Sequence, residues 1–146
     1  MLMKKYLLKI ATLLLLPFFL VATAYAQENT ANKLVIQVST DDVITQKIAL
    51  NNAVNLQKLY GLDNIVIEIV AYGPGLQLLT ENSVMASRVE SLAMQEITFS
   101  ACENTMEDQH KRTGKMPVLL DGVGTVNAGV AHIMELQQHG YAYIRP

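Results

Sequence analysis

The chain has 146 residues, 51% of them apolar, with 13 acidic residues against 11 lysines and arginines and a single cysteine, Cys102. This charge balance lacks the basic footprint of a nucleic-acid binder, and one cysteine excludes an intrachain disulfide framework. No internal repeat or low-complexity tract is present.

The first 26 residues read as a signal peptide. Lys4, Lys5 and Lys9 form a positive start, Ile10 to Val21 is apolar, and Ala24-Tyr25-Ala26 offers small residues at both key positions of a cleavage site. The apolar stretch is shorter than a spanning helix requires and is interrupted by Pro17. Cleavage after Ala26 is expected, giving a periplasmic or secreted protein with no stable membrane span. The exported domain is then residues 27–146, a single unit of ordinary size. All acidic residues lie in that domain, so it is mildly acidic.

Residues 27–32 (QENTAN) read as a polar lead-in. Lys33 to Val38 is a short β-rich run. A helix follows over 41–60, with Ser39, Thr40 or Asp41 as its cap and Gly61 past its end. Asn64 to Ala71 (NIVIEIVA) is almost continuously apolar, as in a strand covered on both faces. A second helix is expected from Glu81 to about Met94, and a third strand over Ile97–Ala101. Glu103 to Arg112 forms a helix that is acidic at its start and basic at its end, an order that suits the helix dipole, closed by Thr113-Gly114. A fourth strand is expected over Pro117–Leu120, a last helix over Val126–His139 and a fifth strand over Tyr141–Ile144. Strands alternating with helices define an α/β fold with a mainly parallel sheet.

Ligands in such sheets bind beyond the carboxyl ends of the strands. Three segments would meet on that rim: Gly73-Pro74-Gly75, the stretch from Cys102 through Asn104 and Thr105, and the loop carrying Asn127 and Gly129. Turn geometry alone accounts for such glycines and asparagines, and neither glycine loop matches a phosphate-binding pattern. Cys102 is the sharper signal, expected to be accessible on that rim and to be the one chemically reactive group. At the start of a helix, free N–H groups and the dipole favour a thiolate. The adjacent Glu103 opposes them, so only a small pKa shift is expected, with reactivity rising around the free-thiol value of about 8.5. No second cysteine follows, so chemistry is limited to one thiol: a persulfide, a covalent intermediate or a mixed disulfide. A small buried hydrophobe is the competing role for a lone cysteine.

"FSACENTM", "LLDGVGTVNAGVAHIMELQQHGYAYIRP", "KLVIQVSTDD" and "IVIEIVAYGPGLQLL" together resemble the DsrE/DsrF-like family of sulfur-handling proteins, in its small stand-alone branch. The likeness covers essentially the whole exported domain. It implies a three-layer α/β/α sandwich with a mainly parallel five-stranded sheet, and homo-oligomers, often trimers or hexamers. In sulfur-carrying members a cysteine in this loop takes sulfur as a persulfide and passes it to a partner protein; Cys102 occupies the matching position. Gly73, Pro74, Gly75, Asn104, Thr105, Asn127 and Gly129 are the expected binding residues around it. No cofactor and no metal are expected. The departure is export, since sulfur-relay members work in the cytoplasm. The alternative is a non-catalytic oligomeric module that binds a small ligand or partner on the same rim.

His110, His132 and His139 are expected on polar helix faces, without metal-ligand spacing, and no Ser-His-Asp set is readable. Helix 41–60 carries two apolar stripes. Ala49, Ala53, Leu56 and Tyr60 suit the sheet, while Ile44, Ile48 and Leu59 lie on another face and suggest a partner surface.

Overall fold

The computed structural model describes residues 32–146, so the expected signal peptide lies outside the described residues. Five strands, β1 (Asn32–Val38), β2 (Ile65–Ala71), β3 (Ile97–Cys102), β4 (Val123–Val126) and β5 (Ala142–Ile144), form one sheet in the order β4-β3-β2-β1-β5. Every pairing is parallel. The helices are α1 (Val43–Tyr60), α2 (Ala86–Ala93), α3 (Glu103–Thr113) and α4 (Gly129–Gln138). Among the described residues no helix is long and apolar enough to cross a membrane.

The strand order explains the layers. From β1 to β4 each strand steps one place in the same direction, and right-handed crossovers put all three connections on one face. The connection from β4 to β5 runs back across the sheet, so α4 lies on the opposite face. Burial follows this division. Ile36, Ile67, Ile69, Ile97 and Phe99 pack with Ala49, Leu50 and Val89 of the first two helices, and Met106 of α3 joins them. On the other face Val35 and Val70 pack under Ile133 and Leu136 of α4. One helix cannot cover a whole face, and Val66 in β2 remains 39% exposed. The expectation that β2 is covered on both faces therefore holds from Ile67 to Ala71 and fails at Val66.

Local signals set the helix ends. Asp42, rather than the expected Ser39, Thr40 or Asp41, caps α1: its carboxylate accepts the Thr45 N–H at 2.7 Å. Gly61 ends the helix at φ 84° and donates to Gln57 O, as its position predicts. Gly114, at φ 73°, does the same for α3. The second helix is shorter than expected because residues 81–85 are looped and the helix starts only at Ala86; before them, residues 73–79 form a 3₁₀ turn. The last begins at Gly129 rather than Val126.

One strand is corrected. Pro117–Leu120 is not part of the sheet; Leu119 makes only an isolated antiparallel bridge to Thr80. The fourth strand is Val123–Val126, inside what reads as a glycine loop. Pro117 has no N–H to give a ladder. The edge position of β4 tolerates Gly124 and Thr125, because it is held by backbone pairing to β3 and not by burial of alternating apolar side chains.

Candidate functional site

Cys102 is the last residue of β3 and the cap position of α3. Residues 98, 100 and 102 point to the α4 face of the sheet, so the thiol meets the start of α4. The Gly129 N–H donates to Sγ at 3.3 Å, and the thiol reaches the Asn127 carbonyl oxygen at 4.0 Å. The Asn104 N–H donates to the same Asn127 oxygen at 3.2 Å, which ties the first turn of α3 to the loop before α4. Thr105 completes the set: its hydroxyl accepts the Gly73 N–H at 3.0 Å. Burial pushes the Cys102 thiol up, but hydrogen bonds from Gly129 N–H, the Thr105 hydroxyl and the N–H groups of Thr105 and Asn104 outweigh it. The net result is a thiol below its ordinary value.

Two expectations are corrected here. Cys102 is 5% exposed, so the thiol is buried and not open on the rim. Glu103 turns its carboxylate to the Thr125 hydroxyl of β4, which it accepts at 2.6 Å, and the thiol lies below its ordinary value despite this neighbour.

The other expected residues divide by role. Asn104, Thr105, Asn127 and Gly129 gather around the sulfur as described. Gly129 fits closely: an added Cβ would sit 3.2 Å from the Tyr72 ring and 3.4 Å from the Cys102 Cβ, so those side chains would have to give by a few tenths of an ångström. Gly73 and Pro74 line a cavity of about 490 Å³ between the 73–79 turn and α3, and Thr105 is in its wall too. Gly75 is elsewhere. It is packed under the end of β1, where a Cβ would fall 2.2 Å from the Val38 carbonyl oxygen, so its glycine serves the close approach of two backbones.

A polar cluster beside Cys102 was not legible in the sequence. Glu68 of β2 is buried under α4, where its Oε1 accepts the Ser100 hydroxyl at 2.5 Å and lies 2.6 Å from His132 Nε2. His132 is therefore not on a free polar face. Its Nδ1 lies 3.8 Å from Glu135. Tyr141 is held above its usual value, by burial and then by the charge of Glu68. Serine donates to the carboxylate and not to the histidine, so the group is not arranged as a Ser-His-acid nucleophile set. The only sequence signals were one glutamate inside an apolar strand and, separately, a serine two residues before Cys102. Among the described residues no group of three or more His, Cys, Asp or Glu side chains could hold a metal ion.

The fold and site define a small α/β domain with an all-parallel sheet and one thiol at a strand-to-helix junction on its carboxyl rim. It is similar to the solved structure of MTH1491, a protein of unknown function from Methanobacterium thermoautotrophicum, with 33% identity and a TM-score of 0.71 over 79% of this chain and 99% of that one. The chain belongs to the same family as that archaeal protein. No family model matches the sequence, and no curated protein does.

Proposed function

We propose that this protein is an exported, homo-oligomeric sulfur carrier of the DsrE/DsrF-like kind, with Cys102 as the carrying residue. The observation that supports this is the Gly129 N–H donated to the Cys102 sulfur at 3.3 Å where β3 ends and α3 begins, a placement that favours the anionic form and agrees with a thiol held below its ordinary value. A thiolate is the nucleophile in sulfur exchange. Cys102 S⁻ would attack the outer sulfur of a persulfide or thiosulfate donor. The donor's S–S bond breaks, its electron pair leaves with the donor thiolate or with sulfite, and Cys102 is left as a persulfide. An acceptor thiolate would then attack the outer sulfur, and the electron pair would return to Cys102 as thiolate. No outside oxidant or reductant is needed.

The burial of Cys102 favours a second reading, a non-catalytic oligomeric binding module in which the thiol packs as a small hydrophobe. Incubation of the native protein with thiosulfate, followed by intact mass, separates the two. Under the first reading the protein gains the mass of one sulfur, reductant removes it, and Cys102→Ser gains nothing. A native protein that stays unmodified, while the unfolded chain labels normally at Cys102, leaves only the binding module.

A further inference from the structure

We propose that the cavity between the 73–79 turn and α3 binds a small zwitterion of the α-amino-acid type, its carboxylate on Arg112 and its ammonium group on Asp41 and Asp108. All three charged side chains line the one cavity of about 490 Å³. They come from separate places, Asp41 from the turn before α1 and the other two from successive turns of one face of α3. They are not used against each other: among the described residues no carboxylate lies within 4.0 Å of Arg112, and Asp41 has no cationic partner. Asp108 meets only Lys111, at 3.9 Å, and both side chains of that pair are largely exposed, so it costs little to give up.

A guanidinium and two carboxylates that face one cavity without pairing are complementary to a ligand carrying both charges. An anion alone would meet two like charges, and a cation alone would leave Arg112 unused. The rest of the wall suits a polar ligand, with amides from Gln77 and Asn82. Thr105 links the cavity to the thiol, since it lines the wall and its hydroxyl also stabilises the Cys102 sulfur. Cys102 is not itself in the wall, so a sulfur-bearing amino acid held here would have to pass Thr105 to donate sulfur to it. That last step rests on the proposed sulfur-carrier function; the binding site itself does not.

The test is calorimetric titration of the purified Cys102→Ser protein, in which no sulfur exchange can occur, with three probes: L-cysteine, cysteamine, which lacks the carboxylate, and 3-mercaptopropionate, which lacks the ammonium group. L-cysteine is expected to bind, and either truncated probe to bind roughly tenfold or more weakly. Arg112→Gln should bring L-cysteine down to the level of cysteamine and leave cysteamine unchanged. Asp108→Asn should weaken L-cysteine and leave 3-mercaptopropionate no weaker. Both positions are exposed on α3, so neither change endangers the fold. Equal binding of the three probes, no binding of L-cysteine, or an Arg112→Gln variant with unchanged affinity for it would each overturn the site. Binding here together with a wild-type protein that takes no sulfur from thiosulfate would overturn the carrier function and leave the site standing.

Discussion

The sulfur of Cys102 is governed by two opposing residue-level effects. Burial disfavours its charge, and a ring of donors from two loops favours it more strongly. The thiolate should therefore form at lower pH than in a free cysteine. Alkylation of the native protein by iodoacetamide is expected to show a pH midpoint below the free-thiol value of about 8.5. The maximal rate should be slow, because the side chain is 5% exposed. Thr105→Val removes one hydroxyl donor, whose loss is worth about 1 kcal/mol, and should raise the midpoint by up to about one unit. A midpoint at or above the free-thiol value would contradict the donor set. The sign for stability follows. A depressed thiol pKa stabilises the fold at pH above the unfolded thiol's value, and that contribution is lost as pH falls through the native one. The position of Cys102 at the end of a strand and the start of a helix was legible from "ITFSACENTM". Its burial was not, since that depends on α4, whose first residues lie 27 positions further along the chain.

At the scale of elements, α4 is the part that makes the site. It supplies the Gly129 N–H, and its first turn is fixed to the sheet through His132 and Glu68. His132→Ala leaves a buried carboxylate with only the Ser100 hydroxyl, at a cost of about 1–3 kcal/mol. It should also raise the alkylation midpoint of Cys102, because the Gly129 N–H is no longer held in place. His132→Gln keeps a donor that can reach Glu68, and should restore most of both quantities. If His132→Ala lowers thermal stability and leaves the alkylation profile unmoved, the pair is structural only. Gly75→Ala tests the other loop. The new methyl would fall on the Val38 carbonyl, and overpacking of that kind costs about 1–3 kcal/mol or more, read as a lower urea midpoint. Strands β1 to β3 and their helices were legible because their apolar runs and glycine stops are strong. Strand β4 was not, because an edge strand that contains Gly124 and buries little has no apolar pattern to read, while the apolar Val118-Leu119-Leu120 next to it does. The Glu68–Ser100–His132 cluster was hidden for a related reason: its members come together only through strand register and the return of α4 across the sheet.

At the scale of the whole molecule, the return of α4 leaves one face of the sheet thinly covered, and α1 carries an apolar stripe that stays exposed among the described residues. Ile44 is 70% exposed, Ile48 44% and Leu59 71%. They recur at helical spacing along α1, on the side away from Ala49, Leu50 and Ala53. Among the described residues no neighbouring loop shields this stripe. On the opposite face Val130 and Met134 of α4 stand open one turn apart. Isolated exposed apolar side chains are ordinary, but aligned stripes on two faces are the pattern of partner surfaces. Closed rings need two different patches on each subunit, and twofold dimers need one that matches itself. The protein is therefore expected to scatter light as a multiple of its monomer mass at micromolar concentration. Ile44→Glu with Leu59→Glu should reduce that mass if α1 forms the contact. Val130→Glu with Met134→Glu should do so if α4 does. Loss of assembly with either pair indicates a ring built from both patches. Loss with only one pair indicates a twofold contact through that helix. A wild-type protein that remains monomeric at these concentrations would remove the oligomer from the proposed function, while leaving the donor set at Cys102 untouched, since every group in it belongs to one chain.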